Sequence, residues 1–229
     1  MHTEIFFIAN CGLLIKTDRI SILIDGFNRE TNNFTGIPEH AYKDAIEHMG
    51  VFKNIDLMLF THKHDDHYDK EKVKRYMQAN KNTKLFIPGV TGDEKYISFQ
   101  VEDTTINARK ISHSGRDVTG DPHYVFYMNT PGKKIYVSGD ADFFEDTQID
   151  FMEGKKADVA FYNPLHLNNL NGRKIIRAIN AEKNFIYHIP SETKDPYQLR
   201  KMAIRDIKKY KGEIPYTELL LKNMKAVYL

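Results

Sequence analysis

The chain has 229 residues, of which 41% are hydrophobic, with 14 Phe and 13 Tyr among them. This composition is typical of a globular protein with a sizeable core, and it excludes an intrinsically disordered chain. The 33 basic and 31 acidic residues give a net charge of +2, so the composition does not favour a dedicated nucleic-acid binder. Cys11 is the only cysteine. An internal disulfide and a thiolate zinc cluster are therefore excluded, and any metal must be held by imidazole and carboxylate groups.

The apolar run at residues 5–9 is too short to span a membrane, and no basic residues of a signal peptide precede it. We therefore expect an intracellular, cytoplasmic protein. Its expected partner is a small-molecule substrate rather than a nucleic-acid polymer or a membrane, and association into a homo-oligomer is left open.

The first 26 residues predict a meander of three strands, which are apolar, β-branched runs at residues 5–9, 12–16 and 20–24. A linker rich in Asn, Thr and Gly follows at residues 29–36. Residues 39–49 then show the apolar spacing of an amphipathic helix.

A short apolar strand at residues 56–60 leads directly into a segment rich in histidine. Asp69 is placed to cap the helix that follows, since Asp is a favoured N-cap residue. Further strands are predicted at residues 85–87, 97–101, 105–111, 124–128 and 134–137.

The last third of the chain alternates between the two kinds of element, with strands at residues 159–161 and 185–187 and a helix at residues 173–180. Asp195 and Pro196 predict the start of a final helix, because Asp suits the cap and Pro suits the first helical position. No linker between domains and no repeat is visible. The pattern predicts a layered α/β fold in a single domain spanning residues 1–229.

The histidine-rich segment reads Thr61-His62-Lys63-His64-Asp65-Asp66-His67. In an extended or looped backbone, residues two apart point the same way, so His62 and His64 can bind one ion. Asp66 and His67 then turn toward a second position nearby. Nitrogen and oxygen donors without sulfur suit zinc, manganese or iron in a catalytic site with open positions. The alternative is a solvated polar loop that happens to be rich in His and Asp.

A strand followed by Thr-His-x-His-x-Asp-His resembles the signature of the metallo-β-lactamase superfamily. Ile22-Leu23-Ile24-Asp25-Gly26 and Val137-Ser138-Gly139-Asp140 also resemble that family's pattern in order and spacing, over a stretch from about Ile5 to about His188. The resemblance implies a four-layer αββα sandwich with two metals at one edge of its two sheets.

The resemblance also implies three further ligands. His113, at the end of a strand, would complete the first metal's trio with His62 and His64, and His123 is the alternative for that role. Asp140 would bridge the two ions, unless it is a cap or turn residue. His188, which closes a late apolar strand, would join Asp66 and His67 on the second metal, unless it is a buried core histidine.

Other polar residues have open roles. The resemblance makes Asp25 a carboxylate that orients the histidine segment, although an ordinary turn Asp before Gly26 is the alternative. His166 either lines the cleft or lies in a loop. Arg116 and Lys194 either bind a substrate anion or are solvated surface charges. Three histidines lack any such context and are expected at the surface: His2, His40 and His48.

Two divalent ions roughly 3.5–4 Å apart can share a hydroxide and lower the pKa of water toward neutrality. Zinc is the expected metal, with manganese and iron as alternatives. The bridging hydroxide would attack a carbonyl or phosphoryl centre, with Asp66 as the catalytic group that takes part in proton transfer. The leading hypothesis is a hydrolase of a small ester, lactone or phosphoester. The alternatives are a phosphodiesterase acting on a nucleotide or lipid head group, and a metal-binding module without turnover.

Among the subgroups of that family, the chain resembles the compact, ascorbate-phosphate lactonase-like enzymes. Glyoxalase-type thioesterases have Pro-Gly-His-Thr where this chain has Ile111-Ser112-His113-Ser114. Diiron oxygen-reducing members have Glu at the position of His64. RNA-processing members carry a large inserted domain that 229 residues cannot hold.

Overall fold

The computed structural model describes residues 2–115, 120–144, 146–214 and 216–228. Strands in these ranges are β1 (Thr3–Phe7), β2 (Leu13–Thr17), β3 (Ser21–Ile24), β4 (Leu57–Leu59), β5 (Lys84–Phe86), β6 (Tyr96–Val101), β7 (Thr104–Lys110), β8 (Tyr124–Asn129), β9 (Lys134–Val137), β10 (Val159–Tyr162), β11 (Lys183–Ile186), β12 (Thr217–Leu219) and β13 (Lys225–Val227). Helices are α1 (Glu39–Ile46), α2 (Lys70–Ala79), α3 (Thr147–Met152), α4 (Pro164–Asn168), α5 (Leu170–Ile179) and α6 (Leu199–Lys209). None of these described helices combines the length and the apolar character needed to cross a bilayer.

The strands form two mixed sheets. The first sheet has the order β13-β1-β2-β3-β4-β5, and the second has the order β12-β11-β10-β9-β8-β7-β6. In the first sheet, β1 to β3 form the predicted antiparallel meander, and β4 and β5 then pair in parallel. In the second sheet, β6 to β9 are antiparallel, whereas β10, β11 and β12 continue in parallel.

Side chains alternate between the two faces of each strand and so build three cores. In β2, Leu13 and Ile15 point into the core between the sheets, whereas Leu14 points to the core beneath α1 and α2. In β9, Val137 points between the sheets, and Tyr136 points to the core beneath the other helices. This alternation follows from the two-residue period of a strand. The predicted four-layer αββα sandwich is thereby confirmed.

The structure corrects several predicted elements. The last helix begins at Leu199 rather than at Pro196, because Gln198 adopts a left-handed φ of 56° and residues before it form a turn. Asp195 still caps that helix, accepting hydrogen bonds from the backbone N–H groups of Leu199 and Arg200. Helices α3 and α4 and strands β12 and β13 were not predicted. The cap at Asp69 is confirmed by its contacts with two N–H groups of α2.

Polar residues follow the carboxyl ends of parallel strands in both sheets. Asp25 follows β3, His62 lies shortly after β4, Asp140 follows β9, Asn163 follows β10 and His188 lies shortly after β11. Because parallel strands end at the same edge of a sheet, these residues are collected in one region. That edge is where the two sheets meet in a polar cluster.

Candidate metal centre

The first group of side chains contains His62, His64 and His113. One ring nitrogen from each lies within 4.8 Å of the other two. The loops after β7 and β9 pair with each other: Ser114 N–H donates to the Asp140 carbonyl at 2.7 Å. This pairing carries His113 to the histidine segment, as the sequence predicted.

The second group contains Asp66, His67 and His188, whose ligand atoms also lie within 4.8 Å of one another. A turn at residues 65–67, in which His67 N–H donates to the His64 carbonyl at 2.9 Å, brings Asp66 and His67 to His188. The His67 ring also stays beside His62, with a centroid separation of 4.0 Å. The Nε2 atoms of His67 and His188 are 3.1 Å apart, and Asp66 Oδ2 lies 3.4 Å from His188 Nε2.

Asp140 lies between the two groups. Its Oδ2 atom is 3.4 Å from His67 Nε2, 3.3 Å from His188 Nε2 and 3.6 Å from His113 Nε2. Burial opposes ionisation of Asp140, but the neighbouring His188 and His67 outweigh it and hold the pKa of this carboxyl well below its usual range. The structure thus brings all seven predicted ligands together, with a carboxylate at the centre.

Asp25 supports the first-sheet side of this cluster. It is fully buried, and its two oxygens accept from Thr61 N–H at 2.8 Å and from the Thr61 hydroxyl at 2.7 Å. Asp25 Oδ2 also lies 2.9 Å from His67 Nδ1. Since a carboxylate only accepts, the proton of a neutral His67 is on Nδ1, and its Nε2 presents a lone pair to the cluster. Asp25 is therefore more than a turn residue.

Asn10 has the corresponding role for His188, and sequence reasoning missed it. Its Nδ2 donates to the Asp66 carbonyl at 2.7 Å, which leaves Oδ1 to accept from His188 Nδ1 at 2.7 Å. Cys11 Sγ also donates to the Asp66 carbonyl, at 3.2 Å. Asn10 and His188 are 178 residues apart in the chain, and no local pattern marks the pairing.

These hydrogen bonds test whether the site suits a metal. His67 and His188 both direct Nε2 toward the oxygens of Asp66 and Asp140. With both rings neutral, several acceptors converge without a donor among them, so the cluster needs a positive charge, from a proton or from a cation. His62 is buried, and its Nε2 has no hydrogen-bond partner among the described residues. Burial lowers the pKa of His62 well below its ordinary value, which keeps it in the neutral form that binds metals. A cation is the species that such a set of donors fits.

His123 and His166 do not belong to the donor set. The Asp140 N–H donates to His123 Nε2 at 2.9 Å, which occupies the lone pair that a metal would need. His166 is fully buried in α4, between Asn163 and Gln148, and neither lines the cleft nor lies in a loop.

Of the two residues proposed to bind a substrate anion, Lys194 and Arg116, the structure describes only Lys194. Lys194 Nζ donates to the Thr31 carbonyl at 2.9 Å and pairs with Glu30 at 2.6 Å, so it ties the linker at residues 29–36 to the loop after β11. In that linker, the Phe34 ring lies over His188 with a centroid separation of 4.2 Å. Arg116 lies outside the described residues.

The backbone is left-handed at several points around the cluster, with φ of 54° at Asn10, 46° at Asp25 and 56° at His188. Gly139 also has a positive φ of 53°. A Cβ on Gly139 would come within 2.7 Å of His123 Nε2 and 2.9 Å of the Thr61 side chain. Gly139 is therefore the place where the backbone that follows β9 of the second sheet lies against the side chain of Thr61, which follows β4 of the first.

A groove of about 520 Å³ opens beside His113. Its described lining is mixed, with His123, Pro122 and the cations Lys95 and Lys110. Lys110 pairs with Asp93 at 2.6 Å, so part of this positive charge is neutralised.

Comparison with known proteins supports these observations. A family model described as "Beta-lactamase superfamily domain" matches residues 4–181. No curated protein matches the chain.

Three solved structures illustrate the structural similarity. A protein described as a possible metal-dependent hydrolase from Veillonella parvula is 14% identical, with full coverage of both chains and a TM-score of 0.69. YhfI from Bacillus subtilis, a metallo-β-lactamase fold protein, is 14% identical, again with full coverage of both chains, at a TM-score of 0.64. CmlA from Streptomyces venezuelae, a diiron β-hydroxylase, is 12% identical at a TM-score of 0.69; all of this chain aligns, but it spans only 54% of CmlA.

At these identities the solved structures establish the fold alone, whereas the family model covers most of the chain. The chain belongs to the β-lactamase superfamily and has the metallo-β-lactamase fold.

Proposed function

We propose that this protein is a metal-dependent hydrolase that binds two divalent ions and cleaves a small ester, lactone or phosphoester. The observation that carries the proposal is the convergence of imidazole nitrogens and carboxylate oxygens at one edge of both sheets. The donor set contains only imidazole and carboxylate groups, which favours zinc, with manganese and iron as the alternatives.

The proposed ligand roles follow the two groups. His62, His64 and His113 would hold one ion, Asp66, His67 and His188 the other, and Asp140 would contact both. Divalent ions bound there would polarise a substrate oxygen and make water acidic enough to lose a proton near neutral pH. The buried partners Asp25 and Asn10 keep His67 and His188 in the tautomer that this role needs.

We assign proton transfer to Asp66. Its backbone is held by Asn10 and Cys11, and its carboxylate lies 3.4 Å from one histidine, His188. Asp140 instead has one oxygen held by Asn163 and the other directed at three histidines. The Asp66 carboxylate is therefore the better placed of the two to accept a proton from an attacking water and return it to a leaving group.

The groove beside His113 supports a small-molecule substrate. A volume of about 520 Å³ falls within the range of roughly 300–1,000 Å³ that is usual for small-ligand pockets. Lys63, adjacent to the histidines, pairs with Asp121 at 2.7 Å. Lys110 is paired with Asp93, and the neutralisation of these two lysines supports a small-molecule substrate over a nucleic-acid polymer.

Elemental analysis combined with a substrate panel tests the proposal. The purified protein, reconstituted separately with zinc, manganese and iron, is assayed on carboxylic esters, lactones, phosphomonoesters and bis-phosphodiesters. We expect about two ions per chain and metal-dependent turnover of one probe class; a preference for bis-phosphodiesters would favour the phosphodiesterase alternative. Metal binding without turnover in any preparation would favour the non-catalytic module and overturn the enzyme assignment.

A further inference from the structure

A buried chain of hydrogen bonds reaches Asp140 from the helical side of the second sheet. Its last member is Asn163, which is 2% exposed. Asn163 Nδ2 donates to Asp140 Oδ1 at 3.1 Å. Its Oδ1 atom accepts from the N–H groups of Leu165 and His166, because Asn163 is the N-cap of α4. These contacts set the amide so that its donor, and not its acceptor, faces the Asp140 carboxylate.

His166 adds a third donor to the same amide oxygen. Its Nδ1 lies 3.0 Å from Asn163 Oδ1, which accepts, so the ring proton is on Nδ1. Burial lowers the pKa of His166 to about 4, which keeps the ring neutral at ordinary pH. Its Nε2 atom must then be an acceptor, and the side-chain N–H of Gln148 lies 3.0 Å from it.

Gln148 and Tyr136 complete the chain. Gln148 Nε2 also donates to the Asp142 carbonyl at 2.6 Å, and its Oε1 accepts from the Tyr136 hydroxyl at 2.7 Å. Both side chains are fully buried. Burial raises the pKa of Tyr136 well above its ordinary value, so the hydroxyl remains a donor. Every hydrogen bond from Tyr136 to Asp140 therefore runs in one direction.

We propose that Tyr136, Gln148, His166 and Asn163 form a positioning network that orients the Asp140 carboxylate for metal binding. The network holds Oδ1 of Asp140 and leaves Oδ2 directed at the histidine nitrogens. Buried polar groups cost free energy unless each is satisfied, so a pure packing role would be filled more simply by apolar side chains. This inference rests on the metal centre proposed above.

Neighbouring tyrosines provide a matched experiment. Tyr136 and Tyr162 are both fully buried, with ring centroids 5.8 Å apart. The Tyr162 hydroxyl, unlike that of Tyr136, has no hydrogen-bond partner among the described residues. Tyr136→Phe therefore removes one member of the network, whereas Tyr162→Phe removes a hydroxyl outside it. His166→Phe interrupts the network closer to Asp140 while keeping a ring of similar size.

The measurements are metal affinity by chelator competition, the visible absorption of the cobalt-substituted protein, and kcat and KM on the best probe. Asn163 is the outer partner of Asp140, and His166→Phe removes the ring N–H that helps to orient it. We expect this variant to weaken metal binding by up to the roughly 10- to 100-fold that the loss of an outer partner costs. Tyr136→Phe should weaken it by roughly 2- to 10-fold, as expected for one neutral hydrogen bond. Both should shift the cobalt spectrum and lower kcat more than they raise KM, and Tyr162→Phe should match the wild type.

Two results would overturn the network. One is a folded His166→Phe variant with wild-type metal affinity and cobalt spectrum. The other is equal behaviour of Tyr136→Phe and Tyr162→Phe, which decides the question even if His166→Phe does not fold. If the wild type binds metal and hydrolyses a probe but the variants behave like it, the network alone is rejected. Wild-type protein that binds no divalent ion would reject the metal centre and the network together.

Discussion

The two sides of the proposed metal centre are built differently. On the first-sheet side, four predicted ligands lie within His62–His67, and a buried carboxylate, Asp25, supports them through direct contacts. On the second-sheet side, His113, Asp140 and His188 each come from a separate loop. Asp140 is there supported by a chain of uncharged groups.

The difference shows two ways of orienting a ligand. A charged partner orients a ligand strongly through a single contact, but its buried charge needs hydrogen-bond donors nearby. The Thr61 backbone N–H and hydroxyl are those donors for Asp25. A neutral chain carries no net charge into the interior, but each of its members must have the correct donor direction. We therefore expect the first side to be sensitive to charge and the second to be sensitive to hydrogen-bond direction.

Removing one proposed ligand from each side should cause the largest losses of metal content and kcat. We expect His64→Ala and His188→Ala each to lower metal content, and to lower kcat by more than the roughly 100-fold cost of losing an outer partner. Elemental analysis and turnover on the best probe measure this. The exposed His40→Ala serves as the control. Retention of full metal content by His64→Ala would show that the ligand set is wrong.

Neutralising Asp25 should cause the next largest change, a loss of metal affinity. Asp25→Asn keeps a residue that tolerates the left-handed backbone but leaves Thr61 or His67 without its acceptor. We expect metal affinity to fall by roughly 10- to 100-fold in chelator competition. Asp56→Asn is the matched control, because Asp56 accepts from the Ser21 N–H in the same sheet. Equal affinities of the two variants would contradict the charged support.

Lowering the pH should reduce the free energy of unfolding through His166, which lies on the second-sheet side. Its pKa falls from 6.5 in the unfolded chain to about 4 in the folded protein, so protons bind the unfolded state more tightly. This contribution to stability is complete above pH 6.5 and is lost as the pH falls toward 4, by about 1.4 kcal/mol per pH unit.

Urea unfolding of metal-free protein at pH 7 and at pH 5.5 measures this effect. His166→Phe should lose about 1.4 kcal/mol less stability than the wild type between these two conditions. Identical losses would show that His166 is not held in the neutral form.

The smallest expected effect concerns Lys194, which joins the two sides across the linker at residues 29–36. Its side chain is 26% exposed and its partner Glu30 is 65% exposed. We therefore expect Lys194→Met to change the free energy of unfolding by less than about 1 kcal/mol. The exposed pair of Lys174 and Asp146 provides a control in Lys174→Met. A KM that rises for phosphorylated probes but not for neutral ones would instead give Lys194 a role in binding substrate.

Much of the fold could be predicted because apolar residues alternate in the longer strands. Strands β12 and β13 have three residues each, mostly half-buried or exposed, so they show neither the apolar run that marks β4 nor a visible period. The final helix was placed too early because its cap, Asp195, contacts Leu199 and Arg200 across an intervening turn. A local cap signal fixed the capping residue but not the distance to the first helical turn.

The seven proposed ligands were predicted because several are contiguous and the others match a family pattern. Their supporting partners were harder to identify, since Asn10 meets His188 across 178 residues. Asn163 did carry a readable signal: Asn followed by Pro164 is a cap and a first helical residue, and it marks the short helix that places His166.

Gly139 has a consequence for the spacing of the whole centre. Thr61 and His123 lie so close to it that no side chain can be accommodated. The separation between the halves at this edge is thus set by the approach of the Gly139 backbone to the Thr61 side chain rather than by the size of core residues. Repacking the hydrophobic interior, in evolution or in design, can proceed while this separation is preserved, whereas adding a single methyl group at position 139 would force the ligands of one sheet away from those of the other.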